Sequence, residues 1–300
     1  MGRRFSGIQA RSDWWIDPAV YVMLAVILFV TLYPLIYVIS CSFSSPMAVM
    51  QGKVYLFPVR PTLMSYAKVF SENRLSLGFR NTISYTLLGT SINLLLTTTG
   101  AYALSTEDLK GRRILTQLIL FTMLFSGGLI PLYLVVQNLG FVNTIWAVTL
   151  PNAVGVTNFI IMKNTFQTTL PKELKEAATI DGSSQIGTLL RVALPLSLPI
   201  IAVMTIFYSV GHWNEFFNAL IFLTKKDLHP LQVVLRDILI SNEINDTMSD
   251  ANRIRGEDYF AIAEGIRYAI IVVSSLPMVA IYPFFQRYFV QGIMVGAIKG

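Results

Sequence analysis

Long apolar runs separated by polar links set the pattern of this chain. The runs cover about 18–40, 81–104, 114–136, 144–162, 194–223 and 267–289. Each approaches or exceeds the roughly 20 residues that one helical crossing of a bilayer needs. The pattern predicts an all-α fold, a polytopic membrane protein with six transmembrane helices in a single membrane domain over 1–300. Pro18 suits a first helical turn, and Trp14, Trp15 and Tyr21 suit an interfacial aromatic belt. Two links are long, 42–80 and 224–266. The first holds turn signals at Phe57-Pro58 and Arg60-Pro61. The second opens with an amphipathic helix over 230–239 and continues as a polar loop over 241–258.

The link over 171–192 has a different texture. Pro171 fits the first turn of a short helix, and Glu173 sits where the helix dipole favours an acid. Leu174, Ala177, Ala178 and Asp181 follow the spacing of one helical face, and the alanines permit close approach by another surface. Gly182 can take the left-handed conformation that ends a helix. Ser183 or Ser184 can then cap a second helix, running through Ile186, Leu189 and Leu190 toward Pro195. The expected product is an L-shaped pair of helices joined to the fifth span, a device for meeting something in the water beside the membrane. The plain alternative is a loop that happens to be helical.

Composition supports the membrane reading. Of the 300 residues, 54% are hydrophobic and 13% charged, about half the charged fraction of a soluble domain. Mean hydropathy is +0.58. The net charge of +6 does not point to nucleic acid, because the cations flank apolar segments as orientation signals do. Arg3, Arg4, Arg11, Lys110, Arg112, Arg113, Lys163, Lys172, Lys175 and Arg191 fall on one side if all six runs cross. That side is expected to be cytoplasmic, with both termini on it. The bias is modest, since Lys53, Arg60, Lys68 and Arg74 lie opposite. The single cysteine, Cys41, allows no internal disulfide and no cysteine metal cluster. The apolar run before it is too long for a signal-peptide core, and it reads as a small buried residue near a helix end.

Chemistry of its own is missing from the sequence. No GxxxxGK[ST] loop is present to cradle nucleotide phosphates. His212 and His229 have no partner at metal-ligand spacing, and no context marks a nucleophile. The chain reads as non-catalytic, without metal or cofactor. Glu215 is the costly feature, a carboxylate inside an apolar run with His212, Trp213 and Asn214 beside it. An indole that stacks on sugar C–H surfaces and amide or carboxylate groups that bond hydroxyls would suit a sugar pathway. A polar knot that packs helices is the other reading. Asn152 and Asn158 are weaker pathway candidates, near a proline, Pro151, that can open the fourth helix toward a cavity.

Glu176-Ala177-Ala178, Asp181-Gly182 and Leu194-Pro195 resemble the EAA loop of binding-protein-dependent ABC importer permeases. Leu189 stands where phenylalanine is frequent, Val192 where isoleucine is usual, and Gly187 is less common. Asn81-Thr82-Ile83, Ala101-Tyr102-Ala103-Leu104-Ser105, Trp213-Asn214-Glu215-Phe216-Phe217 and the ending Gly296-Ala297-Ile298-Lys299-Gly300 resemble the MalG-like carbohydrate-uptake branch, LplC/YtcP type. The resemblance implies a type I importer permease in a bacterial cytoplasmic membrane, carrying a carbohydrate such as an oligosaccharide. It implies that Glu176, Ala177, Ala178, Asp181, Gly182, Leu194 and Pro195 couple to an ATPase dimer that binds ATP and Mg. It also implies that the tail over 291–300, with Gly296, Lys299 and Gly300, reaches that ATPase; a frayed terminus is the alternative. The further partners implied are a second homologous permease in a heterodimer and a solute-binding protein. A permease for another solute, a membrane scaffold that binds a soluble regulator, and a membrane-embedded enzyme are the rival readings.

Overall fold

The computed structural model describes residues 16–248 and 253–297, and every regular element among them is helical. In chain order they are α1 (Ile16–Phe43), α2 (Pro46–Met50), α3 (Met64–Ser71), α4 (Asn73–Ser105), α5 (Arg112–Leu124), α6 (Leu129–Asn138), α7 (Trp146–Thr149) and α8 (Val156–Thr169). Then follow α9 (Lys172–Ile180), α10 (Gln185–Thr188), α11 (Leu194–Leu196), α12 (Leu198–Trp213), α13 (Phe217–Phe222), α14 (Leu231–Met248) and α15 (Arg253–Ala297). Trp14, Trp15, Arg3, Arg4, Arg11, Lys299 and Gly300 lie outside the described residues.

Three of these helices are long and apolar enough to cross a membrane, and two bent pairs raise the number to five. Several of the predicted spans are interrupted or bent. The third is cut between α5 and α6, which meet at 116°. Gly128 at the cut has φ +83°, a conformation open to glycine at little cost. The fourth is the single turn of α7, a non-helical stretch through Pro151, and then α8; proline supplies no N–H to continue the ladder. The fifth begins with an 85° bend before Leu198 and ends at Trp213, ahead of the separate α13. In the other direction, α14 and α15 extend into the segment predicted as polar loop. Residues 231–248 contain neither glycine nor proline, so nothing in them stops the helix.

Internal contacts group the chain into two compact units. One comprises the residues up to Ser71 with Asn242–Val273. Its core is Cys41, Ala48, Val49 and Val54, closed by Tyr37, Val59 and Tyr268. Cys41 is fully buried near the end of α1, and Tyr37 and Tyr268 meet edge to face at 5.9 Å.

The other unit comprises Glu72–Ser241 and the chain from Ser274. Here α4 is the central helix, with α8 and α12 packed on it. Ala101, Tyr102 and Leu104 of α4 meet Phe159, Met162 and Phe166 of α8 and Met204 and Tyr208 of α12. Small residues allow the approach: a Cβ on Gly100 would lie 2.8 Å from Phe159 Cε2. A second tie joins the loop before α7 to the chain after α13. Asn143, at φ +59°, accepts from Thr224 N at 2.7 Å, Thr224 Oγ1 at 3.0 Å and Lys225 N at 3.1 Å. Asparagine tolerates that backbone conformation better than other side-chain-bearing residues. Replacing Asn143 by alanine loses both features and should cost about 1–2 kcal/mol. Thermal unfolding in detergent should read this as a fall of about 2–8 °C.

Candidate coupling and pathway sites

The elbow after α8 is built from local bonds. Pro171 caps α9 one position outside the first helical residue, and Glu173 lies in its first turn. At the other end Gly182 takes φ +77°. Its N–H donates to Thr179 O at 3.0 Å, and Ser183 N–H donates to Ala178 O at 2.9 Å. This paired arrangement satisfies the last carbonyls of α9 and redirects the chain. Of the two candidate serines, Ser184 caps α10, its Oγ accepting from Gly187 N at 3.1 Å. Past α10 the helix widens to a π turn over Leu189–Ala193, where Leu194 N–H donates to Leu189 O. Pro195 clashes with a regular turn before it, and the wider turn relieves that clash.

Of the residues expected on one face of α9, only Ala178 turns away from the open side. Lys175 and Ala178 turn inward, whereas Leu174, Glu176, Ala177 and Asp181 are exposed. Lys175 Nζ lies 5.7 Å from the centre of the Tyr102 ring, and that ring meets Phe166 edge to face at 5.9 Å. Burial holds the Lys175 ammonium below its ordinary range; Glu107 and Asp108 oppose this, and Arg112 adds to it. A cavity of about 490 Å³ opens here, lined by Tyr102, Thr106, Asp108, Lys175, Glu176 and Gln185 among others. Ile180, at the rim of this cavity, is 86% exposed, and Ile186 is 70% exposed. Among the motif residues, Glu176, Ala177, Asp181, Gly182 and Pro195 are open, Leu194 is half-buried, and Ala178 anchors the helix.

The pathway candidates separate into two groups. His212 is buried, and its Nε2–H donates to Asn93 Oδ1 at 2.8 Å. Asn93 in turn donates through Nδ2 to Asn152 O at 3.0 Å, which fixes the orientation of its amide and hence the imidazole tautomer. Gly89 makes room for the ring, since a Cβ there would lie 2.4 Å from Nε2. Asn152 thus joins through its backbone, with its side chain exposed, while Asn158 sits half-buried in the first turn of α8. Trp213 is 4% exposed; its indole N–H donates to Ser274 O at 3.1 Å and its ring leans on Phe79. In this arrangement its face is spent on packing.

Asn214 and Glu215 follow the end of α12. Glu215 accepts from Asn218 N at 3.0 Å and from Asn218 Nδ2 at 3.2 Å, holding the first turn of α13. Glu215→Gln keeps one acceptor oxygen, whereas Glu215→Ala leaves that turn uncapped at a cost of about 1 kcal/mol. The expected order of melting temperatures is wild type, then Gln, then Ala. Sequence reasoning missed Asn93, Gly89 and Tyr208. A signal existed: Thr82, Thr86, Thr90, Asn93 and Thr97 recur at helical spacing through an apolar run, and all are buried. Thr97 Oγ1 and Tyr208 Oη are 2.7 Å apart. Among the described residues no group of three or more His, Cys, Asp or Glu is placed to hold a metal. Gly296 lies in the last turn of α15.

Comparison with known proteins gives consistent matches over nearly the whole chain. Residues 4–295 match the family described as binding-protein-dependent transport system inner membrane component. Protein LplC of Bacillus subtilis (strain 168) is 43% identical over 273 residues, 90% of each chain. The polygalacturonan/rhamnogalacturonan transport system permease protein YtcP of the same organism is 38% identical, over 95% of this chain and 98% of its own. A crystal structure of a bacterial ABC transporter involved in the import of the acidic polysaccharide alginate contains a chain 32% identical to this one. The two superpose with a TM-score of 0.85 over 95% of this chain and 100% of that one.

Proposed function

Because this chain belongs to the binding-protein-dependent inner membrane components, the permease subunits of ABC importers, we propose that it forms half of a pathway for an acidic oligosaccharide. Membership makes it a multi-pass transport subunit of the inner membrane, without catalysis or cofactor of its own. It also implies a partner ATPase and a solute-binding protein, and it removes the scaffold and enzyme readings. The carbohydrate reading draws on YtcP, named for polygalacturonan and rhamnogalacturonan, and on the transporter involved in import of the acidic polysaccharide alginate; galacturonans are built from sugar acids.

The observation that carries the coupling role is the outward face of the elbow. Ile180 and Ile186 are the most exposed of the large apolar residues in this link, ahead of Leu174 and Leu190, and stand beside Glu176 and Ala177. Isolated exposed apolar residues are common on proteins, but here they stand on a capped elbow that Lys175 anchors to Tyr102. Such a face suits insertion into a cleft of the ATPase. Closure of the ATPase dimer on ATP then moves α9, and α4 and α12 follow through their shared core. Nearly inverting a two-state population takes about 5.5 kcal/mol of differential binding. In this scheme both termini face the cytoplasm, the tail with Gly296, Lys299 and Gly300 approaches the ATPase, and a second, homologous permease completes a heterodimer.

The test is ATP-dependent uptake by the complete importer in proteoliposomes. A labelled galacturonate trisaccharide should accumulate, and neutral sugars or amino acids in excess should compete poorly. Accumulation of an amino acid or phosphate instead would replace the carbohydrate reading.

A further inference from the structure

We propose that Arg236 reads the carboxylate of the sugar on the face of the permease that receives solute from the binding protein. This rests on the carbohydrate reading above and names a contact which that reading leaves open. Arg236 and Gln232 lie one turn apart on α14 and so share a face. The guanidinium carbon of Arg236 stands 5.5 Å from the centre of the Phe216 ring. Gln232 Nε2 donates to Asn214 Oδ1 at 3.4 Å. The end of α12, the start of α13 and the first turns of α14 thus bring a cation, an aromatic ring and two amides to one place. Arg236 and Asn214 are exposed, and Gln232 and Phe216 are half-buried.

Neighbouring charges are engaged elsewhere. Asp237 takes Arg74 at 3.3 Å, and both oxygens of Glu215 accept from Asn218. Among the described residues the guanidinium of Arg236 has no hydrogen bond or ion pair, so its five N–H groups face outward without an acceptor. A planar fork held over a ring is oriented in advance for two parallel bonds to a carboxylate. Phe216 offers an apolar edge to sugar C–H groups beside that fork, and the Gln232 carbonyl can accept from a hydroxyl. A uronate presents this combination of one carboxylate, hydroxyls and a C–H face. A neutral sugar would leave the guanidinium unmatched.

The experiment is a charge series at this position in the complete reconstituted importer, with a galacturonate trisaccharide supplied on its binding protein. Arg236→Lys, which keeps the charge but loses the fork, should fall between wild type and Arg236→Gln; Arg236→Gln should lose about tenfold, and Arg236→Glu should lose more. Recovery of the ATPase and second permease on purification should be equal for all four proteins. A lysine variant as poor as glutamine, or a glutamine variant equal to wild type, overturns the proposal. So does loss of a subunit from Arg236→Gln, which would make the missing acceptor a carboxylate of the partner permease. A wild-type importer that carries a neutral oligosaccharide but not the acid also overturns it, together with the acidic part of the reading above, and leaves only a carbohydrate pathway standing. One that carries no oligosaccharide brings down both.

Discussion

An importer carrying Gly182→Val hydrolyses ATP but moves little solute. The reason is conformational. Gly182 ends α9 at φ +77°, where an L-residue costs about 1–2 kcal/mol and a β-branched one more. A Cβ built at Gly182 meets nothing within 4 Å, so no clash unfolds the elbow. The strain is instead relieved by rotating the backbone out of the left-handed region. That breaks the bonds from Gly182 N–H to Thr179 O and from Ser183 N–H to Ala178 O. Helix α9 then loses its fixed angle to α10, and the face with Ile180 and Ile186 is no longer presented as one surface. The expected result is a fall in ATP-driven uptake of tenfold or more, with basal hydrolysis within about twofold of wild type. Gly182→Asn should transport nearly normally, since asparagine accepts this conformation. Normal uptake by the valine variant would show that α9 does not act as a rigid lever.

Gly89→Ala is expected to be the most destabilising single-methyl change in the α4–α12 contact. The added Cβ would lie 2.4 Å from His212 Nε2, 2.5 Å from Cε1 and 2.8 Å from Cδ2. The ring cannot step aside without breaking the 2.8 Å bond to Asn93 inside a buried contact. Overpacking at about 1–3 kcal/mol and an unsatisfied buried group at about 1–3 kcal/mol combine to about 3 kcal/mol. Melting in detergent should fall by about 6–12 °C. A double-mutant cycle identifies the cause: in a His212→Ala background the same Gly89→Ala change should be almost neutral. An unchanged cost in that background would place the strain elsewhere along α4.

The fold and the elbow were legible in the sequence to different depths. Helical class and membrane character followed from apolar runs alone, because a chain in lipid must satisfy its backbone internally. The elbow followed from local chemistry, since Pro171, Gly182 and Ser184 act on their own neighbours. The inner face of α9 did not, because only Tyr102 and the end of α4 decide which side of a short helix turns inward. The same holds for Glu215. Its place in an apolar run left substrate contact and helix packing both open, and in the folded chain both its oxygens accept from Asn218. Trp213 left stacking and packing both open in the sequence; its packed place depends on Ser274, which arrives from a helix some sixty residues later in the chain.

What the sequence determined by itself, then, was the class, the family motif and the capped turn at Gly182, all of which depend on periodicity or on residues a few positions apart. Tertiary structure decided where the spans break, which polar residues pair across α4 and α12, and that Arg236 meets Phe216. These outcomes turn on whether a distant segment offers an acceptor, a ring or a gap the size of a missing Cβ, and hydropathy along the chain carries no record of such distances.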